Sequence, residues 1–375
     1  MNSSVTLVIF EGGAASSELE ETMRQVRRAI VIDLIFKAQA AGFERIIIGT
    51  SYRDLAEEAA KYQVEIEYHP QVTEEFHFGN ELLRIVKQRK LNKVLYVGGA
   101  AAPLISAHEL RSIRRLLEVH NSIVTANNYY SADLVGLAPA SVLADIDLPK
   151  IDNSLPQILV QQTDLRFIPL QRSLGLNFDI DTPSDLMILA CHPHLGFYTK
   201  QALAEIEIDF SRCEKIKQVM QDPNSELLVY GRVNSALFKL LDELTSCRIR
   251  LYSEERGMKS LGRDVRGEVC SLLGEMISLC GYEQFFQFLG QICHGALIDS
   301  RIIFSHWQWD LSQSDRFYSD LGLIDQITHP GLREFTRAAY NAPIPVILGG
   351  HSLVSGGLWA LLDAAQIARQ NAASG

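Results

Sequence analysis

Strand-like and helix-like segments alternate through the first half of this chain, and that alternation constrains the fold more than any other feature. Short apolar segments, each typical of a buried strand, are separated by longer stretches with the apolar spacing of helices. The strand-like segments are "VTLVIF", "ERIIIGT", "QVEIEYH", "KVLYVGG" and "SIVTAN", with helices predicted from about Glu18 to Ala41 and from about Tyr52, Asn80 and Ser106. Strands joined by helices of this length predict an α/β fold with a doubly wound, mainly parallel sheet.

The second half repeats this organisation on a smaller scale. "ELLVYGRV", a helix from Asn234 to Ser246 and "RIRLYSEE" predict a strand, helix, strand module, while "ALIDSRIIF" and "PVILGG" predict two more strands. The stretch that holds Pro149, Pro156 and Pro169 shows few helix signals. We therefore expect a first domain over residues 1–195, a helical connector over 196–224 and a second α/β domain over 225–375.

Charge and hydropathy narrow the class of protein. The net charge is −10 and the isoelectric point is about 5.5, which argues against general affinity for nucleic acid or for anionic membranes. The longest apolar runs are far shorter than a bilayer span, and the N-terminus lacks the pattern of a signal peptide. We expect a cytoplasmic protein with no membrane segment, whose six cysteines, without a C-x-x-C pair, stay reduced.

An acidic segment, "LNFDIDTPSDL", ends the first half. Phe178 and Ile180 alternate with Asp179 and Asp181, which predicts a strand with both carboxylates on one side. Thr182 is a suitable N-cap and the following proline a suitable first residue for a helix. Two carboxylates this close repel each other unless a cation or a basic group lies beside them, so the segment predicts either a metal site or only a capped helix.

Several segments together resemble a known family. "AIVIDLIFKAQAAGFERIIIGTS", "KVLYVGGAAAPLISAHELRSI" and "VTANNYYSADLVGLAPA", followed by "LGLNFDIDTPSDL", are similar to the nucleotidyltransferase fold that A-type glycosyltransferases share. The resemblance is nearest to the 2-phospho-lactate guanylyltransferase and molybdenum-cofactor guanylyltransferase type. It covers roughly residues 5–190, and the second half resembles no family that we recognise.

This resemblance implies a function and a set of site residues. A nucleotide would bind at the glycines and asparagines that follow predicted strands, namely Gly12, Gly13, Gly98, Gly99, Asn127 and Asn128. Asp179 and Asp181 would hold Mg²⁺ on a nucleoside triphosphate while a small phosphorylated or carboxylated acceptor attacks the α-phosphate. The chain departs from the family in two places, because the first loop, "FEGGAASSELEE", is acidic and Gly98 and Gly99 replace a metal-binding acid. A catalytically lapsed nucleotide- or sugar-nucleotide-binding or assembly protein is therefore the alternative.

The second half offers candidates of its own for binding an anionic acceptor. Arg256, Lys259, Arg263 and Arg266 follow a predicted strand, and the last three share one face if the segment is helical. They form either an anion site or ion pairs with the acids around them. His351 and Ser352 lie in the glycine-rich "GGHSLVSGG", where backbone N–H groups could bind an anion, so an enzyme centred on the second half is a further alternative.

A third group of side chains predicts either a cleft or a contact between subunits, so homo-oligomerisation stays open. Its members are Arg301, His306, Trp307, Asp315, Arg316 and Asp320.

Overall fold

The computed structural model describes residues 4–70 and 76–374. Its strands are β1 Val5–Glu11, β2 Arg45–Thr50, β3 Glu65–Tyr68, β4 Lys93–Gly98, β5 Ile123–Ala126, β6 Leu134–Ala138, β7 Arg166–Pro169, β8 Glu226–Gly231, β9 Arg248–Ser253, β10 Gly295–Asp299 and β11 Val346–Gly349. Its helices are α1 Glu18–Ala41, α2 Arg53–Ala59, α3 Phe78–Arg89, α4 Ala107–Val119, α5 Leu155–Gln162, α6 Leu174–Asn177, α7 Pro183–Ala190, α8 Phe197–Ala204, α9 Ser211–Gln221, α10 Ser235–Leu244, α11 Leu272–Cys280, α12 Tyr282–Ile292, α13 Ser300–His306, α14 Gln313–Leu321, α15 Pro330–Tyr340 and α16 Gly356–Ser374. None of the helices described is both long and apolar enough to cross a membrane.

Contacts divide the chain into two compact units that are interleaved in sequence. The first consists of Met1–Ala15, Arg24–Asn177 and Gly196–Ala202, and the second of Ser16–Met23, Phe178–Leu195 and Leu203–Gly375. The segment that holds α7 thus groups with the second unit. The domain boundaries at 195 and 225 stay a prediction.

The first unit contains a seven-stranded sheet in the order β3-β2-β1-β4-β6-β5-β7. All neighbouring strands pair in parallel except β6, which is antiparallel to β4 and β5. The predicted α/β class with a mainly parallel sheet is therefore confirmed.

Alternate residues of the strands in this sheet enter two separate apolar cores. In β1, Leu7 and Ile9 pack with residues of α1 and α4, whereas Val8 and Phe10 pack with residues of α3 and α5. Successive side chains of a strand point to opposite faces of its sheet, so helices cover both faces. This is the doubly wound arrangement that the alternating sequence pattern predicts.

The second unit contains a four-stranded, wholly parallel sheet in the order β11-β10-β8-β9. On one face Tyr230 and Ile298 pack with residues of α11, α12, α13 and α15. On the other face α9 contacts β8, β10 and β11. The hydroxyl of Ser184, in α7, donates a hydrogen bond to the main-chain oxygen of Leu348 in β11 at 2.5 Å.

The residues from Phe178 to Asp181 do not form the predicted strand. The four residues before them are helical, and only Asp179 makes an isolated bridge. The Asp185 carboxylate accepts the backbone N–H groups of Asp181 and Thr182 at 3.1 and 2.7 Å, which turns the chain into α7. As the pattern predicted, Phe178 is buried and Asp181 is exposed. The predicted start of the helix after Thr182 is confirmed.

Two other predictions of secondary structure are wrong in part. The strand predicted over "ALIDSRIIF" ends at Asp299, and the remaining residues begin α13. The proline-containing stretch after Pro149 is not poor in helix, because Leu155–Gln162 form α5 with Pro156 in the first turn, where its missing N–H is tolerated.

Candidate functional sites

The first unit has a point where the connections of its sheet diverge. β1 and β4 are neighbours, and the chain runs from β1 to β2 and β3 on one side before it returns to β4 on the other. Both strands run in the same direction, so Glu11 and Gly98 end at the same edge. Ligands of open α/β sheets usually bind in the crevice at such a point. The candidate glycines that follow these strands, Gly12, Gly13 and Gly99, thus lie where a ligand is expected.

Glu11 makes an unusually close contact at this edge. A Cβ atom on Gly99 would lie 2.4 Å from Oε2 of Glu11 and 2.5 Å from its Cβ. Glu11 is only 6% exposed, and its Oε1 is buried with no hydrogen-bond partner among the described residues. Burial raises the pKa of Glu11, against the opposing charge of Arg27. An acid therefore does lie beside the end of β4, but it comes from β1.

The loop after β1 contacts the end of β2. A Cβ on Gly12 would lie 2.8 Å from Oγ of Ser51, and the backbone N–H of Gly13 donates to the same oxygen at 3.4 Å. Gly13 has a φ of +136°, which other residues rarely adopt. Both glycines are exposed, so their backbone is accessible to a ligand.

The arginines that follow this loop are paired with an acid. Arg24 and Arg28 each place Nη1 2.9 Å from the carboxylate of Asp54. Both guanidinium groups are thus held by the same carboxylate.

The two asparagines after β5 make local hydrogen bonds. Oδ1 of Asn127 accepts the backbone N–H groups of Asp133 and Leu134, both at 3.2 Å, and its Nδ2 donates to the main-chain oxygen of Leu176 at 3.0 Å. Oδ1 of Asn128 accepts the N–H of Tyr130. The Asn127 amide is therefore engaged in turn formation, whereas Nδ2 of Asn128 has no hydrogen bond to another residue in the described part of the chain.

Asp179 and Asp181 belong to the second unit, whereas Gly98 and Asn127 belong to the first. The hydroxyl of Ser352 donates to Oδ1 and to the main-chain oxygen of Asp179, both at 3.2 Å. In the part of the chain that the structure describes, no cluster of three or more His, Cys, Asp or Glu side chains is arranged to hold a metal.

Charged groups surround Asp181. Its carboxylate acts to raise the pKa of Lys259 and of His351, but desolvation and the charge of Arg232 lower the pKa of both. Among the described residues, Asp179 and Asp181 do not belong to a group of three or more metal-binding side chains. The magnesium site at this pair stays a prediction.

The basic segment after β9 is not helical. Residues 256–267 form successive turns, so Lys259, Arg263 and Arg266 do not share a helix face. Arg263 forms a bidentate ion pair with Glu255, with distances of 2.9 and 3.0 Å, and Arg266 pairs with Glu268 at 2.9 and 2.8 Å. For these two arginines the structure shows the ion pairs that the sequence left as the alternative.

The second sheet has its own point of divergence, between β8 and β10. From β8 the chain runs to β9 on one side and then crosses to β10 on the other. Arg232 follows β8 directly, and Asp299 ends β10. Gly231, with a φ of +143°, has no room for a side chain, because a Cβ would lie 2.4 Å from that of Asp299. The two strand ends are thus packed directly against each other.

Two buried ion pairs lie at this edge. Nε and Nη2 of Arg232 donate to the two carboxylate oxygens of Asp299 at 2.6 and 3.0 Å. Nη1 and Nη2 of Arg301, the second residue of α13, donate to Asp320 of α14 at 2.8 and 2.5 Å. Burial alone would raise the pKa of Asp299, but the charge of Arg232 lowers it, so this carboxylate stays ionised. Both guanidinium groups are rigidly held.

His351 lies two residues after the end of β11, at the same edge of the second sheet. Its ring interacts with the backbone of Arg232, and desolvation followed by the charge of Arg232 lowers the pKa of the imidazole, although the residue keeps contact with solvent. Ser352 is buried and its hydroxyl is bonded to Asp179. The hydroxyl of Ser352 is therefore engaged by Asp179.

Sequence reasoning missed Arg232, and it identified Arg301 and Arg316 only as members of a general cleft or contact. A sequence signal for Arg232 was present, because residues that follow parallel strands lie at the edge of the sheet where ligands bind. Arg232 was counted within the strand "ELLVYGRV", which in fact ends at Gly231.

No protein-family model matches the chain, and no curated protein matches it. Among solved structures, a nucleotidyl transferase from Methanothermobacter thermautotrophicus is similar, with 19% identity and a TM-score of 0.38 over 50% of this chain and 95% of that one. A Mycobacterium tuberculosis protein in complex with manganese shows 16% identity and a TM-score of 0.33, over 48% and 95% of the two chains.

A third similar structure is a CMP-2-keto-3-deoxy-manno-octonic acid synthetase in complex with CTP. It shows 11% identity and a TM-score of 0.35, over 50% of this chain and 96% of the other. These likenesses lie in the N-terminal half and concern its fold alone, in keeping with the resemblance drawn from the sequence.

Proposed function

We propose that the first unit binds a nucleotide at the carboxyl edge of its sheet, and that the protein is a nucleotidyltransferase acting on a small phosphorylated or carboxylated acceptor. One observation carries the proposal: Gly12, Gly13 and Gly98 follow or end the two strands between which the connections diverge. Side chains are absent at these positions, so a nucleotide can approach the backbone closely. Asn128, at the end of a strand in the same sheet, has a side-chain amide nitrogen for the base or ribose.

In this proposal an acceptor oxygen attacks the α-phosphorus of a nucleoside triphosphate. The bond to the β-phosphate breaks and pyrophosphate leaves. The magnesium site expected at Asp179 and Asp181 stays a prediction, so no step is assigned to a metal. Magnesium enters only as a component of the assay, because nucleotides in solution are commonly its complexes.

The experiment is a thermal-shift screen of the four nucleoside triphosphates, each with and without Mg²⁺. A ligand at 100 times its dissociation constant stabilises the folded state by about 2.7 kcal/mol, which shifts the melting temperature measurably. We expect one base to give a larger shift than the others. If none of the four raises the melting temperature, the nucleotide proposal is wrong.

A variant of Gly98 tests whether the nucleotide that raises the melting temperature binds beside this residue. A Cβ at this position would make only ordinary contacts, the nearest being 3.6 Å from the Tyr96 hydroxyl, so Gly98→Val should fold. We expect it to keep the melting temperature of the unliganded protein and to lose most of the nucleotide shift. An unchanged nucleotide shift in Gly98→Val would show that the nucleotide binds elsewhere.

Transfer is distinguished from binding alone by the release of pyrophosphate. The protein and the nucleotide that raises its melting temperature are incubated with a panel of phosphorylated and carboxylated small molecules, and the pyrophosphate released is measured. A clear nucleotide shift without pyrophosphate from any acceptor would favour the lapsed, binding-only alternative.

A further inference from the structure

Four cationic side chains converge beyond the carboxyl edge of the second sheet, and each comes from a different segment. They are Arg232 after β8, Lys259 in the turns after β9, Arg301 in α13 and Arg316 in α14. Lys259 is influenced by the charges of the other three. Because the four are far apart in sequence, no local charge pattern accounts for the cluster, and the net charge of the chain is −10.

Two of these cations are paired and two are not. Arg232 and Arg301 form the buried bidentate pairs with Asp299 and Asp320. Among the residues described, Lys259 and Arg316 form no ion pair, and Nε of Arg316 is buried without a hydrogen-bond partner. A buried guanidinium N–H that bonds to nothing is costly, so its presence calls for a reason.

Burial and neighbouring cations both act on the two unpaired groups. Desolvation, followed by the charge of Arg232, lowers the pKa of Lys259, although its side chain keeps contact with solvent and Asp181 acts in the other direction. Desolvation, followed by the charge of Arg301, lowers the pKa of Arg316, and Asp320 does not offset it. The acids of the cluster therefore leave an excess of positive charge at the place where donors are free.

We propose that this cluster, formed by Arg232, Lys259, Arg301 and Arg316, binds the phosphoryl group of a small phosphorylated metabolite. A phosphate monoester carries a charge of about −1.5 to −2 and three acceptor oxygens, which matches two unpaired cations. A carboxylate, with a single charge, would neutralise only one. Arg316 presents N–H donors suited to two oxygens, and Lys259 supplies a point charge. Arg232 and Arg301 are fixed in place by their aspartates.

The test uses the full chain and inorganic phosphate as the probe. Melting temperature is measured against phosphate concentration, with sodium acetate and sodium chloride as controls at equal ionic strength. We expect a saturable rise with phosphate and no saturable rise with either control. An acetate response as large as that of phosphate, or no saturable phosphate response, would overturn the proposal.

Two variants assign the response to the cluster. Arg316→Met and Lys259→Met each remove one unpaired cation, and we expect each to raise the dissociation constant for phosphate by about tenfold or more. We also expect neither to lower the melting temperature in the absence of phosphate, because each relieves repulsion. Arg266→Met is the matched control, because Arg266 lies in the same turn segment but is paired with Glu268, and its phosphate affinity should match the wild type.

The readouts separate this site from the proposed nucleotide site. Gly98→Val should keep its phosphate response, and Lys259→Met should keep its response to a nucleoside triphosphate. If Arg316→Met fails to fold, the exposed Lys259 still provides the decisive variant. A wild-type phosphate affinity in Lys259→Met would refute the proposed site whatever the nucleotide results.

Discussion

The contact between Glu11 and Gly99 is specific enough to predict opposite effects for two neighbouring glycines. A Cβ at position 99 would overlap the Glu11 side chain, whereas a Cβ at position 98 finds its nearest neighbour at 3.6 Å. We expect Gly99→Ala to lower the free energy of unfolding by about 1–3 kcal/mol, the usual cost of overpacking a core. Gly98→Ala should change it by less than about 0.5 kcal/mol.

Urea denaturation at pH 7 measures both variants. The two substitutions add the same atom to adjacent residues, Gly98 at the end of β4 and Gly99 in the turn that follows. Equal destabilisation by Gly98→Ala and Gly99→Ala would show that Glu11 does not occupy the space beside residue 99.

Asp185 predicts a pH dependence of stability. Desolvation, followed by the charge of Asp181, raises the pKa of the buried Asp185 carboxyl to about 7. The folded state then binds this proton more tightly than the unfolded chain, whose aspartates titrate near pH 4. The contribution to stability is therefore full below about pH 4 and falls as the pH rises towards 7.

Asp185→Asn should remove this dependence. The amide keeps an oxygen to accept the N–H and hydroxyl of Thr182, and its nitrogen takes the place of Oδ1, which is buried without a partner among the described residues. We expect the variant to be more stable than the wild type at pH 8, by up to a few kcal/mol, and to lose that advantage at pH 4. Denaturation at both pH values tests this, and a difference that does not vary with pH would contradict it.

At the scale of helices and strands, local signals were predictable and long-range contacts were not. The helices predicted from Ser106 and Asn234 begin one residue later, with these two residues as N-caps, and the predicted start of α7 after Thr182 is confirmed. All three signals are encoded within four residues of sequence. The strand from Phe178 was predicted wrongly, because alternating burial there arises from contacts with distant segments, such as the hydrogen bond from Ser352 to Asp179.

The acidic segment that holds Asp179 and Asp181 can be tested directly as a metal site. The hydrogen bonds from the backbone of Asp181 and Thr182 to Asp185 account for the start of α7 without a metal. We expect Asp179→Asn combined with Asp181→Asn to leave any Mg²⁺-dependent part of the nucleotide shift unchanged. Titration calorimetry with Mg²⁺ and the bound nucleotide measures it, and loss of the metal response in the double variant would restore the original hypothesis.

For the whole molecule, the sequence predicted the architecture better than the second candidate site. Five strands of the first sheet and all four strands of the second were predicted from their apolar patterns, whereas β6 and β7 were missed. The cationic cluster was not, because Arg232, Lys259, Arg301 and Arg316 lie in four segments whose convergence depends on the strand order β11-β10-β8-β9. A sequence pattern identifies strands but does not give their order in space.

The interleaving of the two units makes a final prediction about where the chain can be divided. Leu186 and Leu189 of α7 are fully buried, and Ser184 bonds to β11. A fragment of residues 178–375 keeps these contacts, whereas one of residues 196–375, cut at the boundary predicted from the sequence, loses them. Fully burying one leucine contributes about 1.5–3 kcal/mol, so the loss of α7 is comparable to the whole stability of a typical domain, about 5–15 kcal/mol.

We therefore expect the longer fragment to unfold cooperatively in urea and the shorter one to lack a cooperative transition. Both fragments lack Ser16–Met23, so that segment does not affect the comparison. Near-ultraviolet circular dichroism is a suitable second readout, because it reports whether aromatic side chains are packed in fixed positions. Equal midpoints for the two fragments would mean that α7 adds nothing to the second unit, and would place the boundary at 195, where the sequence alone suggested it.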